Sequence, residues 1–69
     1  MKADKLRQLT YAELQTRLDE SKEELFNLRF QREIGQLEDV TRMRVIKRDV
    51  ARILTVMREM ELEAEANGE

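Results

Sequence analysis

The sequence predicts an all-α protein: a long antiparallel two-helix hairpin with a short N-terminal helical turn. Three observations lead there. The 69 residues contain no proline and two glycines, Gly35 near the middle and Gly68 at the end. Leu, Glu and Arg, all good helix formers, are the commonest residue types. On both sides of Gly35, apolar residues recur at alternating spacings of three and four, the period of a helix with one buried stripe.

Residues 3–8 are expected to form a single helical turn. The first long helix then has a clear start. Thr10 is an N-cap with Glu13 three residues on, a capping box. Leu9 before the cap and Leu14 at the fourth helical position suit a hydrophobic staple. Tyr11, Leu14, Leu18, Ser21, Leu25 and Leu28 form the seam, with Ser21 as one polar gap. The helix is expected to end near Ile34, where Gly35 supplies the left-handed position after the C-cap.

The second helix is expected to begin at Asp39, a good N-cap. Its seam is Met43, Ile46, Val50, Ile53, Met57 and Met60. The expected organisation is a hairpin over residues 1–62, with helices at about 11–34 and 40–62, followed by an acidic frayed tail at 63–69 that lacks an apolar anchor. Each helix of about 24 residues would span ~36 Å. Two helices of equal length with facing seams and a short link fold back on each other. The alternative is a long coiled-coil oligomer, and Gly35 argues against one continuous rod.

A chain of this length is at most one small domain, with a core worth no more than ~3–5 kcal/mol net. It has neither Cys nor His, which removes disulfides, thiolate metal sites and imidazole catalysis. No Gly-rich phosphate loop is present. Carboxylate pairs such as Glu23 and Glu24 fall on a helix exterior without a cleft to separate their pKa values. No enzyme, cofactor, metal or small-molecule substrate is expected. Met1-Lys2-Ala3-Asp4-Lys5 is followed by no apolar stretch of the signal-peptide kind. No run approaches the ~18 apolar residues needed to cross a bilayer. The chain reads as soluble and cytosolic.

The net charge is −2, from 13 bases and 15 acids. That total hides a division along the chain. Glu59, Glu61, Glu63, Glu65 and Glu69 lie in the last eleven residues, which hold no base. Residues 42–58 hold six bases against Asp49. At about 100° per residue, Arg44, Lys47, Arg48, Arg52, Thr55 and Arg58 turn away from the apolar seam. Arg44, Arg48 and Arg52 form a like-charge ladder at i,i+4, which costs a few tenths of a kcal/mol per pair. An external polyanion would offset that repulsion, and nucleic-acid phosphate is the natural candidate. The plain alternative is a solvated face with no partner. An anionic membrane would need a free apolar face to accompany the cations, and here that face closes the hairpin.

Phe26, Phe30 and Ile34 form a second apolar strip, roughly 100–180° from the first seam. Arg29 lies between the two Phe residues in sequence, with Asn27 and Gln31 beside them. Two helices alone cannot cover this strip. It reads either as a docking patch, for a protein or for bases, or as a surface covered by the loop and the N-terminal segment.

The segments Phe26-Asn27-Leu28-Arg29-Phe30-Gln31, Gly35-Gln36-Leu37-Glu38 and Lys47-Arg48-Asp49-Val50-Ala51-Arg52-Ile53-Leu54-Thr55, in that order and spacing, resemble the bacterial large-subunit ribosomal protein twenty-nine family. Met1-Lys2-Ala3 and Leu6-Arg7 also fit, so the likeness covers about residues 1–58. It implies a helical hairpin bound to large-subunit ribosomal RNA at the rim of the polypeptide exit tunnel, in the cytoplasm. It implies the twenty-third large-subunit protein as a neighbour, with chaperones or targeting factors docking nearby. By that likeness Arg29, Gln31, Lys47, Arg48, Arg52 and Thr55 occupy the family's polar motif positions. The acidic tail lies outside the pattern. The competing function is a helical coiled-coil protein–protein adaptor without RNA, which explains the seams but not the cations of the second helix.

Overall fold

The computed structural model describes residues 3–35 and 40–68. Three helices follow in order: α1 (Ala3–Leu6), α2 (Tyr11–Glu33) and α3 (Val40–Asn67). The long pair packs as a hairpin within a rod 52 Å long and 18 by 15 Å across. The Asp39 cap and the link to it lie outside the described residues.

Local chemistry explains the starts and stops. The Glu13 N–H donates to Thr10 Oγ1 at 3.1 Å, and the Thr10 N–H donates to Glu13 Oε1 at 3.3 Å. This closed capping box satisfies donors that the first turn of α2 leaves unpaired. Leu9 packs against the core that holds Leu14, as a staple requires. At the other end, Ile34 caps α2 and Gly35 takes φ +75°. An L side chain rarely adopts that conformation, and glycine reaches it without penalty.

The core is built mainly at the open end of the hairpin. Leu14 and Leu18 of α2 meet Ile53, Val56 and Met57 of α3, and Leu6 of α1 completes the cluster. Further along α3, Met43 and Ile46 are buried, while Leu25 and Leu28 of α2 are half-buried. Fully burying one such side chain stabilises by roughly 1.5–3 kcal/mol, so a cluster this small depends on each member.

Two features differ from the sequence expectation. The first is α1: its Leu6 is fully buried, so the N-terminal turn is a third piece of the core and not merely an extra turn. Val56 shows why. It sits about a quarter turn off the α3 seam, where a two-helix hairpin would leave it open, yet it is buried. Val45 lies on the same side of α3, nearer the loop, and stays exposed. The difference is α1, which packs on α3 at the open end only.

The second difference is the length of α3. It runs to Asn67, five residues past the expected end at 62, so residues 63–67 are helical and not frayed. Glu63, Ala64, Glu65 and Ala66 are strong helix formers. They extend an existing helix by propagation, which avoids the cost of nucleation. Every residue of that extension is exposed.

Candidate nucleic-acid interface

Two contacts between the long helices establish which of their sides coincide. Arg42 donates from Nη2 to Glu24 Oε1 at 2.7 Å and from Nε at 3.0 Å. Near the open end, Tyr11 Oη donates to Glu61 Oε1 at 2.8 Å. Counted from the seam of its own helix, Glu24 lies about 90° and Arg42 about 50° to one side. Tyr11 and Glu61 each lie about 50° to the opposite side. The hairpin therefore has a Glu24–Arg42 side and a Tyr11–Glu61 side, and every other position can be assigned to one of them.

The Glu24–Arg42 side carries Val56 and, over it, α1. Arg7, just after α1, bridges to Glu59 of α3, with Nε 3.2 Å from Oε2, and contacts Asp4 at 3.4 Å. The Glu59 hydrogen bond, followed by the charge of the same carboxylate, raises the Arg7 pKa above its already high ordinary value. Arg52 leans toward this side and lies 3.8 Å from Asp49. Gln31 of α2 also falls here, away from Arg29.

The Tyr11–Glu61 side carries Arg29, Phe26 and Phe30 of α2 and Lys47, Arg44 and Arg58 of α3, at about 50°, 110°, 150°, 90°, 150° and 110° from their seams. Arg48, Thr55 and Ile34 point almost straight outward from their helices. All of these residues are exposed. The Thr55 hydroxyl donates to the Ala51 carbonyl at 2.9 Å, which satisfies its proton within the helix. Arg58 lies 3.6 Å from Glu61. Among the described residues, Arg29, Arg44, Lys47 and Arg48 have no carboxylate within ion-pair distance. The eight polar positions singled out from sequence thus divide. Four are cations with no internal anion, Arg52 and Arg58 are cations with one, and Gln31 and Thr55 are neutral.

Sequence periodicity missed Arg42. It belongs to the same basic segment, but its charge is turned to Glu24 across the hairpin. The signal was available only as a pair, because Glu24 and Arg42 are eighteen positions apart and no helical spacing relates them.

Comparison with known proteins decides the family. The model of the Ribosomal L29 protein family matches residues 4–59. The chain belongs to the ribosomal L29 protein family. It is 62% identical over 60 residues to the large ribosomal subunit protein uL29 of Corynebacterium diphtheriae, covering 87% of this chain and 79% of that one. It is 52% identical over 62 residues to the uL29 of Natranaerobius thermophilus, covering 90% and 95%. Against the uL29 of a Geobacillus species the identity is 50% over 66 residues, or 96% and 97% of the two chains. The ribosomal L29 family is one of structural proteins and not of enzymes. The matched span runs from residue 4 to residue 59, so it includes all of α1 but Ala3 and the whole basic segment, and leaves out most of the acidic end of α3.

Proposed function

We propose that this chain is a structural constituent of the large ribosomal subunit, held there by ribosomal RNA along the outward cations of α3. One observation carries the reading: Arg44, Lys47 and Arg48 are exposed within two turns of α3, and none has a carboxylate within ion-pair distance among the described residues. A surface selected for stability alone would interleave signs, because like charges one turn apart repel. RNA phosphates remove that repulsion, and a guanidinium presents two parallel donors to a phosphate. The relatives named as large ribosomal subunit proteins support the same assignment. Arg29 adds a cation from α2 on the same side. Arg52, Arg58, Thr55 and Gln31 are secondary contacts in this reading, since part of their polar capacity is already used or turned elsewhere.

Family membership supports the finer placement as well: the rim of the exit tunnel, beside the twenty-third large-subunit protein and near docking chaperones or targeting factors, in the cytoplasm. Phosphate contacts position a protein without reading sequence, so the register on the RNA must come from shape and from contacts other than these cations.

The test is binding of the purified chain to protein-free large-subunit ribosomal RNA across a salt series. In Arg44→Gln/Arg48→Gln, each lost phosphate contact should flatten the slope of log affinity against log salt by about 0.7–0.9. Helix content should not change, because both side chains are exposed. An unchanged slope and affinity would place the RNA contact elsewhere and return the chain to the adaptor reading.

A further inference from the structure

Among the described residues, none buries the strip of Phe26, Phe30 and Ile34. It is 69%, 56% and 50% exposed, respectively. The N-terminal segment does not reach it, because α1 packs at the opposite end and on the opposite side. We propose that Phe26 and Phe30 form a stacking shelf for unpaired bases of the RNA whose phosphates the α3 cations hold. This inference rests on the RNA-binding function proposed above and deepens it.

The argument is one of position. Arg42 opposite Glu24 and Glu61 opposite Tyr11 set the level of each residue along the rod. Phe26 then stands level with residues 40–46 of α3, the stretch that carries Arg44, with Lys47 just beyond it. All three are on the Tyr11–Glu61 side. Packed helices lie about 8–10 Å apart, a separation that one nucleotide can bridge from phosphate to base. Arg29 sits on the same side between the two rings in sequence. Among the described residues on this side, the anions near the rings are Glu23 and Glu33, against the cations Lys22, Arg29, Arg44 and Lys47. Aromatic rings beside a cationic track are the arrangement by which single-stranded nucleic acid is held without base reading, and RNA loops and bulges offer splayed bases for it. A protein partner would also accept exposed Phe. The charge around these rings favours a polyanion instead, and the adjoining row of cations without internal anions supplies its backbone contacts.

The experiment compares wild type with Phe26→Leu/Phe30→Leu on protein-free large-subunit ribosomal RNA. Leucine keeps the strip apolar and helical but removes the flat ring. Affinity should fall about five- to a hundredfold for each stacked base lost, with the salt slope unchanged, since no phosphate contact is touched. Ultraviolet crosslinking of the wild-type complex should map to a peptide containing Phe26 or Phe30, and the double variant should lose that crosslink. Equal affinity in wild type and the variant, or crosslinks only on α3, overturns the shelf while leaving RNA binding by the cations intact. If the variant binds RNA normally but fails to retain a second large-subunit protein, the strip is a protein contact and the proposal is wrong. If wild type shows no salt-dependent RNA binding, the underlying function fails together with the shelf.

Discussion

Arg7 and Glu59, fifty-two positions apart in sequence, face each other across the join of α1 and α3, with Nε 3.2 Å from Oε2. Both side chains are about half exposed, so the pair contributes little by itself. It lies beside the place where Leu6 enters the core, on the side of the hairpin where α1 packs. The other side holds the rings and the cations that have no described carboxylate within ion-pair distance.

Leu6→Ala should cost about 2–5 kcal/mol, because the side chain is fully buried and the cavity cannot close on a four-residue helix. That loss rivals the whole stability expected of so small a core. A urea titration should show the midpoint collapsing for Leu6→Ala and moving far less for Arg7→Ala. A similar loss for the two variants would mean that the charge pair, and not the buried side chain, holds α1.

Tyr11 is the single tyrosine and there is no tryptophan, so phenolate absorbance reports on this residue alone. The hydrogen bond to Glu61, then burial, then the carboxylate charge raise its pKa above the ordinary 10.0. A pKa raised by folding means that the contact stabilises below about pH 10 and that this contribution is lost as pH rises through the folded value. Glu61→Ala should bring the titration back toward 10. A titration at the ordinary value in the wild type would show that the Tyr11–Glu61 contact is not kept in solution.

Arg42 and Glu24 should couple in a double-mutant cycle by roughly 0.2–1 kcal/mol, the range for exposed pairs, and toward its upper end because two donors converge on one oxygen. The exchanged pair, Arg42→Glu with Glu24→Arg, should recover part of what either single reversal loses. No coupling would undo the register on which the shared side of Phe26 and Lys47 depends.

A chain ending at Leu62 would lose Glu63, Glu65 and Glu69, shifting the net charge from −2 to +1. None of the removed residues that are described is buried, so the urea midpoint should hold while helical circular dichroism falls. Affinity for ribosomal RNA should stay level or rise, because three repelling charges are gone. A marked loss of RNA binding would give the acidic extension a direct role that its charge does not suggest.

Sequence alone determined the elements whose causes are local. The capping box at Thr10 and Glu13, the glycine at Gly35 and the two seams follow from backbone chemistry and helical period. So does the outward run of Arg44, Lys47 and Arg48. Only the tertiary structure decided what depends on meetings between distant segments. Leu6 reads as one more leucine until α1 is seen to bury it near Val56, and Val56 reads as off the seam for the same reason. Arg42 looks like another free cation until Glu24 comes within 2.7 Å of it. The end of α3 reads as loose because it has no apolar anchor, yet propagation from a packed helix carries it to Asn67. The period of a helix tells which residues share a face of that helix. Which faces of two helices share a side of the molecule is set by the few contacts that join them.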